Sequence, residues 1–260
     1  MPESCCAIIN FGGETMRRPD TVSDSNVVSR QPHWVALCVL GMCASLATWG
    51  VLQWKHPFFN VGEEFSIGMG ASNEARAALI AEQTRANQLN AAVVMGMAGA
   101  LLAGGLAVFA SPCCALGVRV ITAAVGGGLW AAATGWVGTS LYSLVMPTES
   151  LPGPTHIGLA QAVVWALFGT GIGLLFAMFS RQKSLWLTAA LTGAAAGAVG
   201  GVLYPIVASL ALPSQGTTEF IAAGSSVRLM WLSFPLVAIA LAVPHLCAKQ
   251  QGLPATSPEQ

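Results

Sequence analysis

Six long apolar runs constrain this chain more than any other feature. They cover residues 34–54, 91–110, 118–146, 157–179, 185–212 and 227–247, and none carries Asp, Glu, Lys or Arg near its middle. A helix of about 20 residues crosses the hydrocarbon core of a bilayer. No water is present there to satisfy backbone N–H and C=O groups, so such runs fold as helices, whose hydrogen bonds are internal. The expected fold is an all-α integral membrane protein with six transmembrane helices. Composition agrees: 8% of the residues are charged, where soluble domains carry about 25%. The formal net charge is zero, which gives no reason to expect a nucleic acid partner. The lipid bilayer is the first partner implied.

The polar stretches divide the chain. Residues 1–31 mix charges with Ser and Asn and lack any period, as a disordered tail does. The first run follows this long polar stretch and precedes no A-x-A site, so it reads as an uncleaved helix rather than a signal peptide. Residues 32–247 form the transmembrane domain. Within it, 55–90 is a polar outer loop. Ser72 is a helix cap there, followed by good helix formers. That helix either continues into the second span and projects from the membrane, or lies on the membrane surface. Residues 248–260 read as a second loose tail.

Lys and Arg set the orientation. Arg17, Arg18, Arg30, Arg119, Arg181, Lys183 and Lys249 fall on one side; Lys55, Arg76, Arg85 and Arg228 fall on the other. Both termini are therefore expected in the cytoplasm, across the inner membrane if the cell is bacterial.

Two spans carry stripes of small residues. In the fifth span Ala189, Gly193, Gly197, Gly201, Pro205 and Ser209 recur at every fourth position; in the third, Ala123, Gly127, Ala131, Gly135, Thr139 and Ser143 do so. Positions four apart share one helix face, and a face of small residues lets another backbone come close. The eight positions Ala123, Gly127, Ala131, Gly135, Ala189, Gly193, Gly197 and Gly201 are the expected helix-packing residues. The two striped helices are expected at the centre of the bundle. The alternative use of such stripes is to line a path, with Thr134, Thr139, Ser140, Thr188, Thr192 and Ser209 supplying hydroxyls.

The stripes belong to a wider repeat. At an offset of 70, Ala92-Val93-Val94 meets Ala162-Val163-Val164, Gly99 meets Gly169 and Phe109 meets Phe179. At an offset of 66, Gly127 meets Gly193, Gly135 meets Gly201, Pro147 meets Pro213 and Trp165 meets Trp231. The unit is a two-helix hairpin, and its copies, spans 2–3 and 4–5, run parallel. Spans 6 and 1 would close a third hairpin about a pseudo-threefold axis.

Catalytic patterns are missing. There is no nucleophile elbow, Walker motif, H-E-x-x-H or dinucleotide fingerprint. The seven cysteines include no C-x-x-C. His33, His56, His156 and His245 sit at span edges, and no cofactor or metal is implied. Spans without central charges argue against proton relays and ion-coupled transport. These features predict a non-enzymatic membrane protein, a scaffold or accessory subunit that packs against other membrane proteins or itself through its small-residue faces. The alternative is a passive channel or transporter for a small neutral solute.

Overall fold

Six helices follow one another along the chain: α1 (Trp34–Lys55), α2 (Asn73–Phe109), α3 (Leu116–Val145), α4 (Pro154–Phe179), α5 (Trp186–Ala211) and α6 (Ser225–Gln251). The computed structural model describes residues 34–62, 72–109, 116–145, 153–180, 185–216 and 218–251. The described residues contain no strand. Each helix is long and apolar enough to cross a membrane. The chain is thus a multi-pass, all-helical membrane protein. The tail 1–31 lies outside the described residues.

Two helices run past the apolar spans read from the sequence. α2 has 37 residues, about 55 Å of helix at 1.5 Å per residue. It is unbroken from residue 73, so its polar first half stands beyond the apolar span. Ser72 caps it as expected, its Oγ accepting from the N–H of Ala75 at 3.2 Å. α6 continues through Gln251, where a loose tail was expected from 248; residues 252–260 are outside the described part.

Successive helices pair with opposite sense. On α4 and α5, Gly169 faces Gly193, Gly173 faces Ala189, Trp165 faces Gly197 and Gln161 faces Gly201. A methyl group on Gly201 would sit 2.8 Å from the Gln161 carbonyl oxygen. The second hairpin has the same register: Gly99 faces Gly127, and Ala91 faces Gly135. Residues related by the offsets of 70 and 66 therefore occupy matching places in the two hairpins.

The six helices form a cyclic array. α2, α4 and α6 touch one another; α3 bridges α2 and α4, α5 bridges α4 and α6, and α1 bridges α6 and α2. Each bridge has its own close contact. Trp130 of α3 lies on Gly171 of α4, and its Nε1 donates to the Leu167 carbonyl at 2.9 Å. Gly200 of α5 meets the backbone of Pro235 in α6, and Leu40 of α1 meets Gly105 of α2. α1 pairs with α6 through Gly41 on Val237, and Trp49 Nε1 donates to the Ser225 carbonyl at 2.9 Å. α1 and α6 are thus neighbours, as the three-hairpin arrangement requires.

This order corrects the expectation that the striped helices are central. The centre belongs to α2, α4 and α6, whose apolar windows are 50% buried, against 17% for α3 and 39% for α5. Bulk decides the matter. The axis is filled by Met95, Leu102, Trp165, Phe168, Ile172, Trp231 and Leu236, all fully buried. Small residues would leave that space empty, and voids forfeit dispersion contacts. The stripes instead serve where two helices of a hairpin meet backbone to backbone.

Gly197 and Gly50 test this placement. A side chain on Gly197 would run into the Trp165 carbonyl group, while Gly50 has nothing within 4 Å. Gly197→Leu is expected to lower the thermal midpoint in detergent sharply, an overpacking cost of about 1–3 kcal/mol or more. Gly50→Leu is expected to leave it unchanged. Equal effects would contradict the assigned faces.

Candidate functional site

A cavity of about 500 Å³ opens at the end of the bundle away from the start of α1 and the end of α6. Four elements build its wall. The projecting part of α2 contributes Gln83, Thr84, Asn87 and Asn90; the end of α3 gives Thr139, Tyr142 and Ser143. His56 and Pro57 follow α1, and Glu219, Phe220 and Ile221 come from the α5–α6 connection.

Asn90 organises the wall. Buried in α2, its Oδ1 accepts from the N–H groups of Phe58 and Phe59 at 2.8 and 3.0 Å, and its Nδ2 donates to the Phe59 carbonyl at 2.9 Å. One amide thus satisfies three backbone groups of a segment with no ladder of its own, as buried backbone requires. The α5–α6 connection is held similarly. Tyr142 Oη donates to the Thr218 carbonyl at 2.9 Å, and Gln161 Nε2 donates to the Phe220 carbonyl at 3.3 Å.

Below the connection the interior stays polar for one more layer. Gln161, fully buried in α4, accepts from Trp231 Nε1 at 3.0 Å. Aromatic rings stack edge to face from the cavity inward: Tyr142 on Phe220 at 5.6 Å, Phe220 on Trp231 at 6.1 Å, Trp231 on Trp165 at 5.3 Å. Trp165 Nε1 and Tyr204 Oη are buried here without a hydrogen-bond partner. A buried polar atom left unpaired costs about 1–3 kcal/mol. Beyond this layer, Leu102, Leu106, Ile172, Ile239 and Val243 close the axis, each at most 1% exposed.

Arg228 is the charge in this region that the sequence misplaces. The sequence places Arg228 among the basic residues of the outer side, near the start of the sixth span. It is buried instead, its Nε donating to the Ala222 carbonyl at 2.9 Å and Nη2 to the Ala223 carbonyl at 3.1 Å. It ties the connection to the first turn of α6 and does not line the cavity. His56, at the cavity wall, feels it. Burial, and then the Arg228 charge, hold the His56 imidazole below its usual pKa of 6.5.

The expected packing residues lie elsewhere. Ala123, Gly127, Ala131 and Gly135 face α2, and Ala189, Gly193, Gly197 and Gly201 face α4; all eight are buried. The hydroxyls proposed as a path do not converge. Thr134 Oγ1 donates to the Trp130 carbonyl and Ser209 Oγ to the Ile206 carbonyl. Of that set, Thr139 alone reaches the cavity. Cys38 and Cys43 are free thiols, and Cys5, Cys6, Cys113 and Cys114 lie outside the described residues. Among the described residues no three His, Cys, Asp or Glu side chains gather as a metal site. Sequence reasoning missed the cavity because its parts are scattered. Asn90, Gln161 and Tyr142 are single polar residues at span ends, a signal available but weak without the pairing of the helices.

No protein-family model, curated protein or solved structure matches the chain. Its description therefore stands on the membrane-spanning fold and on this cavity.

Two measurements check the site. Tyr142→Phe removes a hydrogen bond of about 1 kcal/mol and is expected to lower the thermal midpoint. Tyr204→Phe deletes an unpartnered hydroxyl and is expected to leave it unchanged or higher. The second concerns pH. His56 faces Glu219 and Tyr142 in the wall, with Arg228 behind. Its folded pKa is depressed, so its contribution is complete above the unfolded value of about 6.5 and is lost as pH falls through the lower folded value. Thermal midpoints taken from pH 7.5 to 5 are expected to fall, with a smaller slope in His56→Gln.

Proposed function

We propose that this membrane protein captures a small polar solute at the end of the bundle away from the start of α1, and that it does so without catalysing a reaction. The observation that carries the reading is the cavity itself. Binding sites for small molecules are concave, about 300–1,000 Å³, with a few placed polar groups. The cavity has this size and a wall of neutral amides and hydroxyls with one carboxylate. With both termini in the cytoplasm, as the Lys and Arg balance suggests, the cavity faces outward. The closed apolar layer beneath it favours a carrier or receptor over an open channel. The matching register of the two hairpins supports their origin by duplication.

The second reading is a scaffold or accessory subunit. It rests on the projecting half of α2, where most side chains from Asn73 to Arg85 are exposed, Ile80 among them at 63%. Docking through the small-residue faces has less support, because those faces are occupied within the hairpins.

Native mass spectrometry of the protein released from its own membrane separates the two. Capture predicts a retained molecule of small mass, lost in Asn87→Trp, which fills the cavity from an exposed position. Recovery in fixed ratio with other proteins and without a retained small molecule would favour the accessory reading and count against capture.

A further inference from the structure

The donor and acceptor balance of the cavity wall is lopsided. Thr84 Oγ1 donates to the Ile80 carbonyl at 2.8 Å, Thr139 Oγ1 to the Trp136 carbonyl at 2.8 Å, and Ser143 Oγ to the Ser140 carbonyl at 2.8 Å. A hydroxyl has one proton and two lone pairs. Each of these three has committed its proton to its own helix and offers only lone pairs to the cavity. Tyr142 has likewise given its proton to the Thr218 carbonyl. Asn90 directs both ends of its amide at the 58–59 backbone. Gln83 and Asn87 add amides that both donate and accept, so it is the hydroxyls that tip the wall toward acceptors.

Charge points the same way. Glu219 is the carboxylate of the wall, and no cation lies within ion-pair distance of it among the described residues. Arg228 is close enough to interact with the Glu219 charge, but its guanidinium donates to the Ala222 and Ala223 carbonyls and not to the carboxylate. His56 is held toward its neutral form and does not compete for the carboxylate at neutral pH. The rings of Tyr142 and Phe220 add faces that attract a cation.

We infer that the cavity takes a small organic cation, a protonated primary or secondary amine, rather than a neutral solute. The ammonium group sits against Glu219 and donates to the helix hydroxyls, and the carbon body rests on Tyr142 and Phe220. This rests on the capture reading given above. It also revises the ligand class read from the sequence. The spans lack central charge, but the α5–α6 connection brings Glu219 to the solute from outside them.

The test is isothermal titration of the purified full chain in nanodiscs at pH 7.5, using amines paired with alcohols of the same shape. Suitable pairs are ethanolamine with ethylene glycol, 4-aminobutan-1-ol with 1,4-butanediol, and phenethylamine with phenethyl alcohol. In at least one pair the amine is expected to bind about tenfold tighter or more, the effect of a hydrogen bond to a charged group. The difference is expected to shrink with added salt and to vanish in Glu219→Gln. Glu219 is exposed, so this variant is expected to fold, and an unchanged thermal midpoint checks that it does. Glu219→Asp, which keeps the charge, is expected to retain a preference for the amine. Alcohols binding as tightly as amines, or a preference that survives Glu219→Gln, would overturn the inference and leave capture standing. Binding of no member of any pair would count against capture itself.

Discussion

Backbone-to-backbone contact within the hairpins is the constraint on which the rest of this structure depends. In lipid, apolar side chains gain little by leaving the solvent, because the solvent is itself apolar. Association then rests on dispersion at short range and on the few polar contacts available. Gly169 against Gly193, and Gly99 against Gly127, bring two helix axes close over their whole shared length. Each hairpin so formed behaves as one thick element. Its inner helix presents large residues to the axis and its outer helix faces lipid.

The cyclic order follows from that division. Three inner helices with Trp165, Phe168, Trp231 and Leu236 fill an axis that small residues would leave hollow. Three outer helices cover the seams between them, and each seam has a large side chain or a proline seated on a glycine. The polar layer near one end is a consequence rather than an ornament. Where the helices end, the connections need partners for their backbone groups, and Asn90, Tyr142, Gln161 and Arg228 supply them. The cavity lies among these supports.

Much of the fold was legible in the sequence. Six apolar runs announced six helices, and the cap at Ser72 with the helix formers after it announced a helix there, leaving open whether it projects from the membrane or lies on its surface. The stripes identified a close-packing face but not its partner, because a row of small residues looks the same from sequence whether it meets a hairpin mate or another protein. The error over which helices are central has the same source. A stripe records closeness, and centrality depends on the bulk of the opposite faces. The cavity was the least legible part. Its wall is drawn from four separate segments, and Glu219, which reads as an ordinary loop acid, gains meaning only when Tyr142 and Gln161 draw its connection over the bundle.

The most direct test of this account is thiol accessibility in intact membranes, on a chain whose native cysteines have been replaced. Ser143→Cys in the cavity wall and Thr134→Cys at a buried position of α3 are probed with a membrane-impermeant thiol reagent. The account predicts that position 143 reacts from the side away from the start of α1, from that side alone, and that position 134 does not react. An unreactive position 143, or reaction at 134 from either side, would contradict a blind polar cavity set on a closely packed cyclic frame.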